Sequence, residues 1–248
     1  MTLKSVIFDV DGTLADTEKE GHLWAFNRAF QLWNLPFRWG VPLYRELLNI
    51  SGGKERLAYY LAQHPEYHPL SNDEIREIYR LKTNLFMERV RAGVVALRPG
   101  VRSLIGQCYQ EGIPVGIATT TNYDNVETLL LRHFGVQWKH MFPVVVAGDE
   151  VPIKKPDPAV YVRCLEQLGV SASEAIAVED SAVGLKAATG ARISTIVTMN
   201  TWTYHHTFLG ALAILTSLGT TQTPAYGTGP DGWGRYRVTV DQLRAWLV

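Results

Sequence analysis

Two aspartates separated by one residue, Asp9 and Asp11, directly follow an apolar run near the amino end. In an extended backbone, side chains at positions i and i+2 point to the same side. The carboxyl end of a buried strand is also where α/β sheets bind ligands. Gly12 allows the chain to turn sharply there. The pair predicts two cooperating carboxylates, and the alternative is an acidic turn in which Asp11 only caps the loop.

Three more groups of polar residues follow apolar runs in the same way. They are Thr119, Thr120, Thr121 and Asn122 in the first group, Lys155 in the second, and Glu179 with Asp180 in the third. In a right-handed doubly wound sheet, all of these groups reach the same edge. Taken singly, each has a plain alternative as a helix cap or a solvated loop residue. Together they predict one site.

The residue types at this edge are suited to phosphoryl transfer. Asp9 and Asp180 offer oxygen ligands to a hard divalent cation, which favours Mg²⁺. Lys155 and the hydroxyl of Thr119 could hold phosphoryl oxygens, where charge accumulates in the transition state. One carboxylate remains to attack and another to move protons.

Short apolar runs that alternate with amphipathic stretches predict the elements that carry these residues. The candidate strands are residues 5–8, 114–118, 144–147, 175–178 and 194–197. Helical spacing joins Val101 to Leu104 and Cys108, and Val160 to Cys164 and Leu168. The expected fold class is α/β, a Rossmann-like, doubly wound parallel sheet of five or more strands with an inserted all-helical domain.

The insertion is predicted because residues 17–92 show only helical patterns such as Leu23, Phe26 and Phe30. We therefore expect a core made of residues 1–16 and 93–248 and a helical cap made of residues 17–92. The stretch from Ser217 to Gly234, rich in Gly, Thr and Pro, predicts a surface loop. A short strand and helix are expected to follow it, between Tyr236 and Leu247.

The motifs around Asp9, Thr119, Lys155 and Asp180 resemble the four motifs of the haloacid dehalogenase superfamily along essentially the whole chain. The resemblance implies that Asp9 is a nucleophile that forms an aspartyl phosphate. It also implies that Asp11 protonates the leaving oxygen and then activates water. Mg²⁺ would be held by Asp9, Asp180 and the backbone carbonyl of Asp11, and Glu179 would orient metal-bound water. Members that remove halogens do not need Asp11, so its presence favours phosphate chemistry.

The segment from Ser51 to Arg56 contains two glycines and two cations at the start of a predicted helix. Backbone N–H groups and charge at such a position could hold an anion, although a glycine-broken helix start with a solvated face explains the residues equally well. Glu18, His22 and Asn27 are similarly ambiguous, and His22 is more typical of a solvated helix position.

Six short segments together look like the CbbY-type branch of the superfamily, the xylulose-1,5-bisphosphate phosphatases, which remove a Rubisco inhibitor. The segments are residues 16–18, 25–27, 44–48, 52–56, 118–121 and 179–181. The resemblance implies that substrate contacts come from Glu18, Gly52, Gly53, Lys54, Glu55, Arg56, Thr119, Thr120, Thr121 and Asn122. It also implies a cap that opens and closes. A β-phosphoglucomutase-like phosphotransferase and a catalytically silent metabolite-binding protein remain as alternatives.

Composition narrows the possible partners. The 248 residues are 46% hydrophobic, and Lys plus Arg equal Asp plus Glu at 24 each, so no global field favours nucleic acid or an acidic membrane. There is no run of about 18 apolar residues. The two cysteines occupy apolar helical positions, which suggests reduced thiols. We expect a monomer that binds a small phosphorylated sugar in the cytoplasm, or in the plastid stroma for a mature organellar chain.

Overall fold

The computed structural model describes residues 2–67 and 70–247, and its central element is an eight-stranded sheet. The predicted domains also include Met1, His68, Pro69 and Val248, which lie outside the described residues. The strands of the sheet are β1 (Ser5–Phe8), β2 (Val115–Ala118), β3 (Val144–Val146), β4 (Ala175–Glu179), β5 (Ser194–Thr198), β6 (Ala213–Leu215), β7 (Ala225–Gly229) and β8 (Gly232–Tyr236). Their order across the sheet is β3-β2-β1-β4-β5-β6-β7-β8.

The first six strands are parallel, with β1 between β2 and β4. Every residue of β1, β2 and β4 is buried, which suits strands covered by helices on both faces. The carboxyl ends of β1 to β5 therefore meet at one edge. The predicted fold class and the five predicted strands are confirmed, apart from one or two residues at their ends.

Ten α-helices accompany this sheet. Four of them lie within residues 17–92: α1 (Trp24–Leu32), α2 (Val41–Leu47), α3 (Gly53–Gln63) and α4 (Asn72–Arg91). The other six are α5 (Val101–Gln110), α6 (Tyr123–Phe134), α7 (Trp138–Met141), α8 (Ala159–Leu168), α9 (Ala182–Gly190) and α10 (Val240–Trp246), and helices of this second group cover both faces of the sheet. One face of β1 places Val6 and Phe8 in the same core as α5 and α6. The other face places Ile7 with α8 and α9. This alternation makes the fold doubly wound. None of the described helices combines the length and apolar character needed to cross a bilayer.

Residues 17–92 contain helices and no strand in the described part of that stretch. We call residues 17–92 the helical insertion. It begins with a π-helical turn, Glu18–Leu23, that leads into α1. A capping box between Ser71 and Glu74 starts its longest helix, α4. Two linkers, one around Asp16 and one around Arg98, connect the insertion to the sheet. They lie side by side and are hydrogen-bonded to each other: Asp16 N–H donates to Ala96 O at 2.9 Å, and Arg98 N–H donates to Leu14 O at 3.1 Å.

The predicted surface loop from Ser217 to Gly234 is wrong in part. Most of that stretch belongs to an antiparallel hairpin, β7 and β8, which extends the sheet beyond β6. Glycine is depleted in strands, so the glycine-rich sequence concealed this hairpin. Gly227 is needed there because a Cβ atom would collide with the carbonyl oxygen of Ile214 on the neighbouring strand. The predicted terminal helix is confirmed as α10.

Candidate active site

The site lies where β1 and β4 end. Asp9 follows β1 directly, and its N–H still donates to Val178 O at 3.0 Å, which fixes it to the neighbouring strand. Glu179 is the last residue of β4, and Asp180 follows it. All three carboxylates are at least nine-tenths buried, and one oxygen of each lies within 4.8 Å of the others. Asp9 is 170 positions from Glu179 in the sequence, and the parallel register of β1 and β4 brings the two residues together.

Lys155 is the buried cation beside these carboxylates. It is 5% exposed, and its Nζ donates to Asp9 Oδ1 at 2.7 Å and to Glu179 Oε1 at 2.6 Å. The hydroxyl of Tyr161 on α8 donates to the same Glu179 oxygen at 2.6 Å. Glu179 therefore holds the ammonium group in position beside Asp9. The strand-end pattern predicted that Lys155 lies at this edge, but not its contact with Glu179.

Burial dominates the electrostatics here. It raises the pKa of Asp9 to about 7 against the opposing charge of Lys155, with Glu179 and Asp11 adding to the rise. Burial and the nearby Asp9 and Glu179 also raise the pKa of Asp180 well above its usual range. For Lys155, burial acts to lower the pKa, but the two carboxylates outweigh it and raise the pKa. Lys155 pairs with only two of the three carboxylates, so the cluster carries an excess of negative charge when all three are ionised.

That excess is what a divalent cation would offset. Asp9 and Asp180 offer hard oxygen ligands of the kind that Mg²⁺ prefers. Gly12 is required beside them, because a Cβ at this position would lie 2.6 Å from Asp180 Oδ2 and the backbone φ is +80°. The side-chain chemistry and the burial therefore fit a magnesium site.

Asp11 contacts the helical insertion rather than the other carboxylates. Nε2 of His22, in the π-helical turn, lies 2.9 Å from Asp11 Oδ1, and Nζ of Lys82, on α4, lies 2.9 Å from His22 Nδ1. Because a charged lysine only donates, Nε2 is the histidine nitrogen that donates to Asp11. Burial acts to raise the pKa of Asp11, but His22, Thr17 and Lys82 outweigh it and lower the pKa to about 2.

The expectation of a solvated His22 is wrong. The ring is 5% exposed and stacks on Phe86, with 4.0 Å between the ring centroids. The helical pattern around His22 does not indicate that α4 packs over the ring or that Lys82 lies buried behind it. Sequence reasoning did not single out Lys82, which is 2% exposed on a helix far along the chain.

The helical insertion forms the opposite wall of the cavity, with Glu18, Arg56 and Lys82 among its lining residues. Arg56 is 9% exposed, and its guanidinium donates to Leu47 O at 2.9 Å and to the Tyr44 hydroxyl at 3.2 Å. The Tyr44 hydroxyl in turn donates to Glu18 Oε2 at 2.7 Å. Within residues 2–67 and 70–247, neither Arg56 nor Lys82 forms a salt bridge, so this wall holds two basic side chains without a carboxylate partner.

The remaining predicted site residues divide between the cavity and its surroundings. Gly52, Gly53, Thr120 and Thr121 line the cavity. Thr119 is buried behind them, where its hydroxyl accepts the Thr121 N–H at 3.3 Å. Asn122 caps α6 by accepting the Asn125 N–H at 3.1 Å. Asn27 holds the backbone of Trp39 through both atoms of its amide.

Of the two cations in the segment from Ser51 to Arg56, Arg56 lines the cavity and Lys54 does not. Lys54 is exposed and does not line the cavity. Glu55 turns toward the core, where it accepts from Lys154 Nζ at 2.8 Å. Helical periodicity explains the difference, since Lys54 and Arg56 are two residues apart and occupy different faces of α3.

Asn200 is a further site residue that sequence reasoning missed. Its amide nitrogen donates to Asp180 Oδ2 at 2.7 Å and to Gly12 O at 3.1 Å. It follows the end of β5 by two residues, so the pattern of polar residues after strands could have identified it.

Comparison with known proteins places this arrangement in a family. The model of the haloacid dehalogenase-like hydrolases matches residues 3–192. The chain belongs to this family. The enzyme class expected from the motifs, a hydrolase, is confirmed.

Relatives and solved structures give finer matches. Protein CbbY of Cupriavidus necator is 42% identical over 247 residues, which cover 98% of this chain and 96% of that protein. Hexitol phosphatase B of Escherichia coli is 30% identical over 197 residues, 78% of this chain and 82% of that one. A crystal structure of a CbbY mutant from Rhodobacter sphaeroides in complex with xylulose 1,5-bisphosphate matches with a TM-score of 0.83 and 41% identity, covering 87% of this chain and 95% of that one. The expected resemblance to the CbbY-type branch is confirmed.

Proposed function

We propose that this hydrolase is a Mg²⁺-dependent sugar phosphatase and that its substrate is xylulose 1,5-bisphosphate. It removes the C1 phosphate to give xylulose 5-phosphate and so removes an inhibitor of Rubisco. The phosphatase-named relative and the bisphosphate complex of the structural neighbour support the proposal.

The observation that carries the proposal is a cavity with cations at two ends. Lys155 lies at the sheet edge beside Asp9, and Arg56 and Lys82 lie on the insertion side of the same cavity. A phosphoryl group at each end of a small sugar would meet positive charge at both. A monophosphate would leave the cations on the insertion wall without a partner.

Asp9 is proposed as the nucleophile and Asp11 as the proton carrier. Asp11 is ionised in the free protein, and a bound anionic phosphoryl group beside it would raise its pKa, so Asp11 takes up a proton as the substrate binds. An Asp9 carboxylate oxygen then attacks phosphorus, the bond between phosphorus and the sugar oxygen breaks, and Asp11 gives that oxygen its proton. Asp11 then takes a proton from a water molecule, whose oxygen attacks phosphorus and releases Asp9 and phosphate. The contact of Asp11 with His22 holds this proton carrier at the junction between the core and the insertion.

Mg²⁺ would be held by Asp9, Asp180 and the backbone carbonyl of Asp11, with Glu179 next to them. When bound it would supply charge neutralisation of the transferring phosphoryl group. Lys155 adds a fixed positive charge on Asp9, and Glu179 and Tyr161 orient it. Thr120 and Thr121 are proposed to contact the same phosphoryl group, with Thr119 and Asn122 shaping their loop.

The helical insertion, residues 17–92, is proposed as a cap that opens and closes over a core of residues 1–16 and 93–248. Its two linkers lie side by side, which allows a rigid rotation about them. Closure would exclude water from the reacting groups. We further propose a monomer in a reducing compartment such as the cytoplasm, in keeping with two free, buried cysteines.

The test is a phosphate-release screen with the purified protein and Mg²⁺ over xylulose 1,5-bisphosphate, glucose 1-phosphate and phosphoglycolate. We expect the highest kcat/KM for xylulose 1,5-bisphosphate and no turnover after chelation with EDTA. An isomerised sugar phosphate without net phosphate release would instead identify a β-phosphoglucomutase-like enzyme. Binding of the bisphosphate without turnover of any ester would identify a metabolite-binding protein.

A further inference from the structure

The loop that follows β5 forms part of the cavity wall through Trp202, Thr203 and His206. Asn200 anchors the start of this loop to Asp180, and Asn200 Oδ1 accepts the Trp202 N–H at 2.8 Å. A turn follows, in which the backbone N–H of His206 donates to Thr203 O at 2.8 Å. The loop is therefore fixed to the same edge of the sheet that carries the carboxylates.

The ring of His206 lies against the start of α9. Its Nδ1 is 3.3 Å from the backbone nitrogen of Ala182, which donates to it. A backbone N–H can only donate, so Nδ1 presents a lone pair and the ring proton must be on Nε2. The contact with the backbone thus selects one tautomer of a neutral imidazole. Burial, together with the adjacent His205, also lowers the pKa of His206, which favours this neutral form.

The remaining ring nitrogen, Nε2, carries a hydrogen for which the described part of the chain, residues 2–67 and 70–247, offers no acceptor within hydrogen-bond distance. The ring borders the cavity. An uncharged N–H donor held rigidly at a cavity wall suits a neutral oxygen, such as a hydroxyl or carbonyl of a sugar. The two phosphoryl positions already have Lys155 at one end and Arg56 and Lys82 at the other.

We propose that His206 is a specificity-determining residue whose Nε2–H donates a hydrogen bond to a hydroxyl or carbonyl oxygen of the sugar. This inference rests on the proposed sugar phosphatase activity and adds to it the group that recognises the carbon skeleton between the phosphates. It assigns a role to the loop after β5, which the strand-end motifs do not include.

Two substitutions test the roles of the two ring nitrogens of His206 separately. In His206→Asn, the amide oxygen can still accept from Ala182 N–H, but the donor that Nε2 provides is lost. In His206→Gln, the longer side chain places an amide N–H close to the position of Nε2. His205→Asn is the matched control, because His205 is the exposed neighbour in the same loop and does not line the cavity.

The assay compares xylulose 1,5-bisphosphate with p-nitrophenyl phosphate, an ester without sugar oxygens. For His206→Asn we expect the KM for the bisphosphate to rise about 3- to 10-fold, the loss of one neutral hydrogen bond. Both kinetic constants for p-nitrophenyl phosphate should stay near those of the wild type. His206→Gln should recover most of the lost affinity, and His205→Asn should leave both substrates unchanged.

An equal effect of His206→Asn on both esters would overturn the proposal, since it would indicate a disturbed loop. An unchanged KM for the bisphosphate would overturn it as well. If the wild type hydrolyses p-nitrophenyl phosphate but not xylulose 1,5-bisphosphate, the proposed substrate fails. The variants are then compared on the sugar phosphate with the highest kcat/KM in the screen, where the same selective rise in KM is expected.

Discussion

The two walls of the cavity are built in different ways. The core wall places carboxylates at the ends of parallel strands, where the backbone register fixes their positions, and it places Lys155 in the loop between β3 and α8. The insertion wall places Arg56 and Lys82 on separate helices and surrounds them with aromatic rings and backbone carbonyls. One wall is rich in negative charge and the other in positive charge. Under the proposed function, the strand ends supply the reacting groups, whereas the packed helices supply the groups that select the substrate.

Asp9→Asn is expected to have the largest effect. The amide has nearly the same shape but is a poor nucleophile, so kcat should fall at least about 10³-fold while the fold remains. Phosphate release measures the loss, and a thermal melt with bisphosphate binding serves as the control. Activity near that of the wild type would remove Asp9 from the chemistry and would break the assignment of reaction to the core wall.

Lys82→Met tests the insertion wall. Loss of a buried charged donor should raise the KM for a bisphosphate about 10- to 100-fold. The KM for a monophosphate should change little, and kcat should fall for both because His22 loses its partner. Steady-state kinetics on both esters gives the ratio of KM values. Lys54→Met is the matched control, since Lys54 is an exposed lysine of the same insertion. Equal rises in KM for the two esters would contradict the selective role.

The pH dependence sharpens the same comparison. Burial lowers the pKa of Lys82 to about 7, and the neighbouring Arg56 contributes to the fall. Lys82 is therefore charged below about pH 7 and neutral above it in the free enzyme. The ratio of kcat/KM for a bisphosphate to that for a monophosphate should fall as the pH rises through this value. In Lys82→Arg the fall should move to higher pH, and a flat ratio in the wild type would count against Lys82 as the selecting charge.

The smallest effect is expected for Glu55→Gln, which weakens the contact between the two walls. Glu55 and Lys154 form an ion pair at 2.8 Å, with side chains 40% and 28% exposed. Exposed pairs contribute at most about 1 kcal/mol, so kcat/KM should change less than about fivefold. Kinetics at low and high salt would check this. A change as large as that of Lys82→Met would mean that the ion pair, rather than the cavity charges, controls substrate selection.

Sequence reasoning predicted the core wall well, because each of its residues follows an apolar run that forms a buried parallel strand. It located the strands that precede Asp9, Lys155 and Asp180 to within one residue at each end. It did less well on the insertion wall. Helical periodicity shows which residues share a face of a helix, but it does not show which other helix packs on that face. For this reason the sequence did not identify Lys82, and the expectation that His22 is solvated was wrong.

The amino-acid sequence by itself determined the order of the elements, the strand ends that carry the carboxylates, the loop that carries Lys155, and the family to which the chain belongs. These features depend on local patterns, since the order of apolar and polar residues along a short segment indicates where a buried strand begins and ends. Only the tertiary structure decided that Arg56 and not Lys54 faces the cavity, that Lys82 stands behind His22, and that Nε2 of His206 carries the proton. Those facts depend on contacts between residues far apart in the chain, which no local pattern contains.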